Sequence, residues 1–539
     1  MDEARVEDER ACAERGDAGA DARASADVRA GVDPAHHEAQ GADDPPRQRE
    51  RRQRSFLGVF DRLLKAMQLD YARADRFPAS GYSDFAGKLY TLNSSMFQNA
   101  AFCDRTLTQM ILHYLTWFQD PGLQLVVGPG AAWHVRQDFR TQRLGDALWV
   151  TWAAPGAPVV AGERVVGVNG SSLDEIRPEI ERTLWTTVEP PDSEREDWSV
   201  VLAFARHLTV EGVDAARRTV RLDVTAGDAA WARAAGTAGA VGPGPGGGSA
   251  ACATSTPDHA VAGPELGACC EFTRRGEASV LTLRNPRDPG FAAALADALP
   301  AARTARHLVI DVRGCRGGTQ QDACALVPLV LAPGAVATPE RLFGRPGIAM
   351  NYSQHNVDAK LAELAAMRAR LSAPGADGAP SGPEGLAELD EVERDLRAKR
   401  GAGVVREMTG PDDGFYPDGT FTGVEVAEED VATAGRSVVV LADRFTGEAA
   451  EWLVRAAKRG GFACVMGRAT LGSLDETCPR VIALDEDFTL VVPTATYVEA
   501  IDGKPTLGRG IAPDVHLPWT EAQLTADGEL DAACARACE

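Results

Sequence analysis

The residues of this 539-residue chain that could carry chemistry lie close together, just after the apolar run VVVLAD (438–443). Thr446 supplies a hydroxyl, Glu448 supplies a carboxylate, and Ser473 supplies a second hydroxyl 25 residues after Glu448. Nucleophilic catalysis needs a hydroxyl or thiol that a base within hydrogen-bond reach makes reactive. Because a carboxylate is a weak nucleophile, Glu448 does not by itself provide an ordinary hydrolytic site.

Two assignments of a hydrolytic role remain open. Ser473 could act as the nucleophile with Glu448 as its base, although a carboxylate activates serine poorly without a histidine between them. Thr446 could act as the nucleophile, although a threonine at this place is more typical of a helix N-cap. The carboxylate of Glu448 is itself typical of the start of a helix. Of the nine histidines, one of His307, His355 and His516 could approach the site, although single histidines are more often ordinary surface or core residues.

A second segment of interest is LVIDVRGCRGG (308–318), an apolar run that ends in glycines. Glycines directly after a buried strand let the backbone approach a substrate carbonyl, and their amides can serve as an oxyanion hole. A plain strand-to-helix turn would have the same local sequence. Cys315 has no motif histidine beside it, and such a thiol is more often inert than nucleophilic.

A third segment, GERVVGVNG (162–170), ends in Asn169 and Gly170. Both residues tolerate positive φ, so they predict a tight turn between two strands. Any β-hairpin could end in this way, and the segment alone does not identify a domain type.

Together the three segments resemble the tail-specific, or C-terminal processing, serine proteases. Relatives read V-L-V-D-R-x-S-A-S-A-S-E where this chain reads VLADRFTGEAAE (440–451), and alignment on Glu451 puts Glu448 in the place of the nucleophilic serine. In the lysine-dependent members the base lies 25 residues later, within G-x-x-T-x-G-K-G. The segment GRATLGS (467–473) aligns there without a gap and places Ser473 at the lysine position. The resemblance therefore implies that both members of the serine/lysine dyad are replaced.

The resemblance covers roughly residues 120–518 and includes GRGIAPDV (508–515), which is similar to the family's G-K-G-I-x-P-D-V. It implies an oxyanion or substrate-binding role for Gly317, Gly318 and Ala449. It also implies that the strand and turn ending at Asn169 and Gly170 belong to a PDZ-like module.

The elements that must position these residues are predicted from hydrophobic periodicity. SVLTLRN (279–285), a helix over 291–304 and HLVIDV (307–312) predict a strand, helix, strand unit of a buried parallel sheet. SVVVLAD (437–443) predicts another buried strand, followed by a helix over 447–459. A helical hairpin is predicted at 356–401. The segment NYSQHNVD (351–358) resembles segments found before the lid helices of some bacterial relatives, so the hairpin is either a lid over the groove or a plain insertion.

The predicted fold class is α/β and multi-domain, with an N-terminal helical domain, a PDZ-like β-rich module and an α/β, crotonase-like ββα protease-type core that carries an inserted helical hairpin. Apolar residues at helical spacing after Phe56 predict the first helices, and the polar start of the chain predicts disorder. The predicted boundaries are a disordered tail at 1–54, the helical domain at 55–120, the PDZ-like module at 121–228, a Gly/Pro-rich linker at 229–268, the protease-type domain at 269–519 with an insertion at 350–402, and a C-terminal tail at 520–539.

Composition and charge limit the kinds of partner and cofactor that the chain is expected to bind. A net charge of -22 argues against binding to nucleic-acid phosphates, which needs clustered lysine and arginine. Eleven cysteines, odd in number and scattered, predict reduced thiols, and their spacing predicts neither a metal site nor a cofactor. The charged N-terminus and the lack of any run of about 18 apolar residues predict no signal peptide, no membrane span and a cytoplasmic location. A misassigned start codon would leave export open.

The leading hypothesis is a degenerate serine peptidase of the tail-specific family that binds a peptide or a protein C-terminal segment without serine/lysine chemistry. A peptide in such a groove would add as a strand to a sheet edge. Two alternatives remain: an active serine-type peptidase with a relocated nucleophile, and a scaffold or assembly protein. The sequence does not decide whether the chain is an enzyme, and it does not set the oligomeric state.

Overall fold

The protein is described here from a computed structural model. The described residues are 46–73, 104–127, 139–222, 269–332, 336–337, 347–408, 424–425 and 435–539, except for gaps at 117, 119, 145–146, 154–155, 181–197, 199–200, 203–204, 213, 287, 317–319, 372–382, 475, 498–505 and 508. The chain divides into two compact units, residues 1–54 with 88–103 and residues 55–87 with 104–539. In the first unit the described residues are 46–54, which begin a helix.

Nine α-helices and nineteen strands are found in the described part of the chain. The helices are α1 (Pro46–Leu69), α2 (Asp104–Thr116), α3 (Leu173–Ile180), α4 (Phe291–Thr304), α5 (Gln320–Leu326), α6 (Gln354–Leu371), α7 (Pro383–Lys399), α8 (Ala449–Gly460) and α9 (Gly528–Cys538). The strands are β1 (Gln124–Val127), β2 (Phe139–Leu144), β3 (Ala147–Ala153), β4 (Arg164–Val168), β5 (Ser171–Ser172), β6 (His207–Glu211), β7 (Arg217–Arg221), β8 (Cys270–Arg275), β9 (Ala278–Leu283), β10 (His307–Asp311), β11 (Val336–Ala337), β12 (Gly347–Tyr352), β13 (Gly403–Met408), β14 (Val424–Glu425), β15 (Ser437–Ala442), β16 (Cys464–Gly467), β17 (Glu476–Ala483), β18 (Phe488–Tyr497) and β19 (Val515–His516). Short 3-10 helices cover Val327–Val330 and Glu521–Leu524.

A six-stranded sheet in the order β19, β16, β15, β10, β9, β8 forms the centre of the larger unit. Its strands are parallel except for β8, which pairs with β9 in the antiparallel sense. The predicted strand, helix, strand unit of β9, α4 and β10 is confirmed. Strands β10 and β15 are almost continuously apolar because both faces of the sheet are covered.

The two faces of this sheet are covered by different helices. Val438, Val440 and Ala442 of β15 pack in the core with residues of α4 and α8. The alternate residues Val439 and Leu441 pack with α9 on the other face. This alternation follows from the two-residue period of a strand.

The C-terminal residues differ from the predicted tail at 520–539. They form α9, in which Ala533 and Ala537 are fully buried against the sheet. The small residues of this helix, alanine and cysteine, gave a weak hydrophobic signal in the sequence, but they let the helix lie close to the strands.

A five-stranded antiparallel sheet of β1, β18, β12 and β13, with β17 paired to β18, forms a second layer of structure. The predicted helical hairpin is confirmed as α6 and α7, which connect β12 to β13. Strand β1 pairs with β18, so Gln124 lies opposite Val491.

Helix α1 also belongs to this layer, in contrast to the separate helical domain predicted at 55–120. The amide of Asn351 in β12 donates to the carbonyls of Leu69, at 2.8 Å, and Tyr71, at 3.0 Å. The N–H of Ala72 donates to the carbonyl of Pro493 in β18. Helix α1 begins at Pro46, inside the predicted disordered tail, and the rest of that tail lies outside the described residues.

The β-rich module contains the antiparallel sheet β2, β3, β4, β6 and β7, with β5 paired to β4 and helix α3 following it. The predicted turn at its centre is confirmed, since Asn169 and Gly170 have φ values of 51° and 91° and join β4 to β5. The predicted linker at 229–268 lies outside the described residues. In the described part of the chain, no helix is long and apolar enough to cross a membrane.

Candidate functional site

The site is built where β15 ends and α8 begins. The carboxylate of Asp443 accepts hydrogen bonds from the N–H groups of Gly314, at 2.9 Å, and Phe445, at 3.0 Å. The N–H of Gly447 donates to the carbonyl of Cys315. These bonds fix the turn between β15 and α8 against the loop that follows β10.

Glu448 occupies a strained position in this turn. Its φ of 56° and ψ of −121° lie in a region that favours glycine, yet the residue has a side chain. A sharp strand-to-helix turn with this kind of strain is the way that hydrolases of other folds present a nucleophile. The turn is therefore shaped to expose whatever side chain stands at position 448.

The positions of Glu448 and Ser473 are brought together as the spacing predicts. The N–H of Glu448 donates to the Oγ of Ser473 at 2.9 Å. A Cβ added at Gly447 would come within 3.2 Å of the same Oγ, so glycine lets the two segments approach. Adjacency of these two positions is what a nucleophile and its base require.

The carboxylate of Glu448 faces an arginine. Glu448 Oε1 lies 3.4 Å from the Nε of Arg316, and the two side chains are 31% and 28% exposed. The guanidinium of Arg316 also donates to the carbonyl of Pro121 at 3.0 Å. Sequence reasoning did not single out Arg316, although it lies next to the glycines expected to form an oxyanion hole.

The carboxylate that binds the Ser473 hydroxyl is Glu451, and not Glu448 as considered from the sequence. The Ser473 Oγ donates to Glu451 Oε2 at 2.7 Å, and the Ser473 N–H donates to the same oxygen at 2.8 Å. Glu451 Oε1 accepts from the Thr470 hydroxyl at 2.5 Å and from the Gly472 N–H at 2.7 Å. Glu451, used in the sequence only to align the motif, thus organises the segment that carries Ser473.

Glu451 is completely buried. Burial raises the pKa of Glu451 above its ordinary value, and the hydrogen bonds from Thr470, Ser473 and Gly472 act against the burial. The Ser473 hydroxyl therefore lies between a backbone donor and a carboxylate acceptor, with 7% of the residue exposed.

Thr446 is fully buried, and its hydroxyl has structural partners. The Oγ1 lies 2.9 Å from the carbonyl of Val312 and accepts from the N–H of Asp443 at 3.0 Å. The N-cap interpretation of Thr446 is wrong, because the N-cap position is Glu448, which makes no side-chain cap hydrogen bond. Thr446 instead ties the ends of β10 and β15 together.

Two glycines explain why the neighbouring strap, residues 467–473, can follow its path. Gly510 has φ of 70°, and an added Cβ would lie 1.9 Å from the carbonyl oxygen of Thr470. Gly467 has φ of 109°, and an added Cβ would lie 2.1 Å from the carbonyl oxygen of Ala442. The Thr470 hydroxyl also accepts from the N–H of Ile511 at 2.7 Å, which joins the strap to the GRGIAPDV segment.

A small apolar cavity of about 20 Å³ lies beside the start of α8. Ala449, predicted to bind substrate, lines this pocket, and so does Cys315. Burial raises the pKa of the Cys315 thiol to about 12, as expected for an unreactive cysteine. The other two predicted oxyanion residues, Gly317 and Gly318, lie outside the described residues.

The three histidines considered in the sequence are engaged elsewhere or lie on the sheet edge. His307 Nδ1 lies 2.7 Å from the carbonyl of Ala537, and His355 Nδ1 lies 3.3 Å from Asp70 Oδ1. His516 lies in β19. Within the described ranges, no group of histidine, cysteine or acidic side chains could hold a metal ion.

Comparison with known proteins gives the family context. Residues 285–517 match the family model described as Peptidase family S41. The structure of mature CPAF complexed with lactacystin has a TM-score of 0.52 at 13% identity, and the match covers 89% of this chain and 97% of that chain. A second structure of mature CPAF has a TM-score of 0.51 at 12% identity and covers 88% and 95%. At these identities the likeness shows a shared α/β, multi-sheet fold.

A lower similarity extends to another protein. The photosystem II D1 C-terminal processing protease matches with a TM-score of 0.36 at 13% identity, covering 89% of this chain and 96% of that chain.

Proposed function

We propose that the chain is a peptide-binding member of peptidase family S41 that lacks serine/lysine chemistry, because residues 285–517 match the model of that family. The observation that carries the proposal is the contact between positions 448 and 473. The strained turn and the 2.9 Å contact between Glu448 N and Ser473 Oγ support equivalence of these positions with a nucleophile and its base. Neither residue present has the corresponding chemistry.

A relocated nucleophile is disfavoured by burial and hydrogen bonding. Ser473 is 7% exposed and Thr446 is fully buried, whereas a nucleophile must reach the substrate carbonyl. The Ser473 hydroxyl donates to Glu451, and Thr446 bridges two strands. Because both residues are buried, the surrounding segments would have to rearrange before a substrate carbonyl could reach either hydroxyl.

The ligand that suits the site is an extended peptide with an apolar side chain. The pocket beside Ala449 is lined by Leu283, Phe291 and Leu326 among other apolar residues. A cavity of about 20 Å³ takes no more than a small apolar group such as a methyl, and removal of that group and the cavity wall from water is favourable by about 25 cal/mol per Å². The peptide backbone would supply main-chain hydrogen bonds in the manner of an added strand.

The experiment is a binding and cleavage assay on the purified chain. Fluorescent peptides with apolar, free C-termini are titrated and followed by anisotropy, and mass spectrometry of the same samples measures cleavage. Binding without cleavage is expected. Ala450→Leu, which adds three carbon atoms at the pocket wall, should weaken binding about tenfold, consistent with a loss near 1.4 kcal/mol.

The control is Ala362→Leu, an equal change at an exposed position of α6, which should leave the affinity unchanged. Turnover of any peptide by the wild-type chain would overturn the proposal. So would equal effects of the two leucine substitutions on binding.

A further inference from the structure

The C-terminal segment 527–538 lies beyond the residues that match the S41 family model. It nevertheless contacts two loops of the site, the loop after β10 and the strap 467–473. Helix α9 packs along the sheet face formed by β9, β10 and β15 through Ala533 and Ala537. The carboxylates at its N-terminal end include Asp527 and Glu529. These two side chains are the basis of the inference.

Asp527 binds the first loop. Its two carboxylate oxygens accept from the guanidinium of Arg313 in a bidentate pair, at 2.8 and 2.7 Å. Asp527 also caps α9 by accepting from the N–H of Leu530. A bidentate pair fixes orientation as well as distance, so the start of α9 and the end of β10 are held in one register.

Glu529 spans the two loops. Its Oε2 accepts from Arg313 at 3.0 Å, and its Oε1 lies 2.6 Å from Arg468 in an ion pair. The hydrogen bond between Arg468 and Glu529 is a separate contact, from the other guanidinium nitrogen to Oε2 at 3.4 Å. Glu529 is 5% exposed and Arg468 is 9% exposed, so this bridge is shielded from water.

The two arginines lead directly into the site. Arg313 is three residues before Arg316, the partner of Glu448, and the intervening Cys315 accepts the N–H of Gly447. Arg468 is the second residue of the strap, residues 467–473, that carries Ser473. A side chain that binds both arginines therefore fixes the distance between the loop after β10 and the strap.

The charges of this cluster balance. Three carboxylates, Asp311, Asp527 and Glu529, meet three guanidinium groups, those of Arg284, Arg313 and Arg468. Removal of one charged group from such a cluster leaves its partner's charge uncompensated, and this strongly destabilises the segment that carries the partner. The loss of Glu529 should therefore act on Arg313 and Arg468 first.

We propose that the segment 527–538 is a positioning element of the ligand site, with Glu529 as the positioning residue that holds the loop after β10 and the strap at a fixed separation. Measurement of peptide affinity tests this inference only if the proposed peptide binding is correct. Measurement of hydrogen–deuterium exchange does not depend on peptide binding, so the inference and the proposed function can fail separately.

The test is hydrogen–deuterium exchange of the full chain, comparing wild type with Glu529→Gln. We expect exchange at 312–316 and 468–474 to become at least tenfold faster, while exchange in the β-rich module at 139–222 stays the same. Affinity for the apolar peptide should fall at least tenfold. Glu529→Asp, which keeps the charge and shortens the arm, should give an intermediate result.

Glu521→Gln, an exposed change in the same C-terminal region, is the matched control and should leave both readouts unchanged. The double variant Arg468→Met/Glu529→Gln removes the unpaired cation and should recover part of the slow exchange in the strap. Unchanged exchange in the two loops of Glu529→Gln would overturn the inference. An equal increase throughout the chain, in both Glu529→Gln and Glu529→Asp, would also overturn it, since the segment would then serve global stability alone.

Discussion

At the scale of single residues, the site is defined by a side chain that stands in an unfavourable backbone conformation. Glu448 has φ of 56°, a value at which glycine would be free of strain. Its carboxylate forms an ion pair with Arg316, and both side chains are partly exposed. Exposed pairs of this kind contribute about 0–1 kcal/mol.

The strain can be measured by two substitutions at the same position. Glu448→Gly removes the Cβ and should raise the free energy of unfolding by about 1 kcal/mol relative to Glu448→Ala, which keeps the Cβ. Both variants lose the carboxylate, so their difference isolates the backbone. Urea denaturation measures it, and an alanine variant at least as stable as the glycine variant would contradict the strained geometry.

The residue-scale site was predicted in part. The interval of 25 residues placed Ser473 beside Glu448, and the contact of their atoms at 2.9 Å agrees with it. The partnership of Ser473 with Glu451 was not predicted, because it depends on the helical turn that places Glu451 one turn after Glu448 and on the path of a separate strap. Arg316 was missed because an arginine in a loop gives no pattern of its own.

At the scale of elements, the path of the strap at 467–473 requires two glycines, Gly467 and Gly510. Thr470 exchanges hydrogen bonds with Ile511 and donates one to Glu451, so the strap, the GRGIAPDV segment and α8 meet at one buried threonine. Gly510 permits that meeting, since a Cβ there would overlap the Thr470 carbonyl. The family motif at 508–515 can thus be explained by close packing of backbone on backbone.

This packing predicts a large difference between two similar substitutions. Gly510→Ala should lower the free energy of unfolding by about 3 kcal/mol or more, because the φ of 70° and the overlap both oppose a side chain. Gly528→Ala, in the first turn of α9 with no atom near the added Cβ, should be neutral or slightly stabilising. Thermal unfolding compares the two, and equal melting temperatures would argue against the described path of the strap.

Elements of regular pattern were predictable and those of weak pattern were not. Strands β10 and β15 were confirmed because buried parallel strands are apolar in consecutive residues. Helix α9 was predicted as a tail because its buried face consists of alanine and cysteine, whose hydrophobic signal is small. Helix α1 was predicted to form a separate domain, since periodicity shows that a face is buried but not which element covers it.

At the scale of the whole molecule, long-range pairings and a buried charge cluster join distant parts of the chain. Strand β1 pairs with β18 across more than 350 residues, which no local pattern indicates. The charge cluster joins β10, the strap and the C-terminal helix.

Burial alone would raise the pKa of Asp527, but the hydrogen bond and the charge of Arg313 outweigh it and hold the pKa below its ordinary value. The pKa of Asp311 is lowered further for the same reason, by Arg313 and Arg284.

A pKa that is lower in the folded chain stabilises the fold at pH values above the unfolded-state pKa of about 3.9. That stability is lost as the pH falls below this value and the carboxylates bind protons. Asp527→Asn should therefore reduce the slope of the free energy of unfolding against pH between about pH 5 and pH 3. Urea denaturation at each pH measures the slope, with Asp531→Asn, an exposed carboxylate of the same helix, as control. Equal slopes for Asp527→Asn and the wild type would contradict the assignment.

The central claim, that the proposed site binds peptide without serine chemistry, is tested most directly by labelling with a fluorophosphonate. Intact-mass analysis and peptide mapping are applied to the wild-type chain and to Glu448→Ser/Ser473→Lys, which places a serine and a lysine at the two positions of the proposed dyad. The predicted result is an unlabelled wild type and a double variant that carries one label at position 448. Labelling of the wild type at Ser473 or Thr446 would contradict the claim.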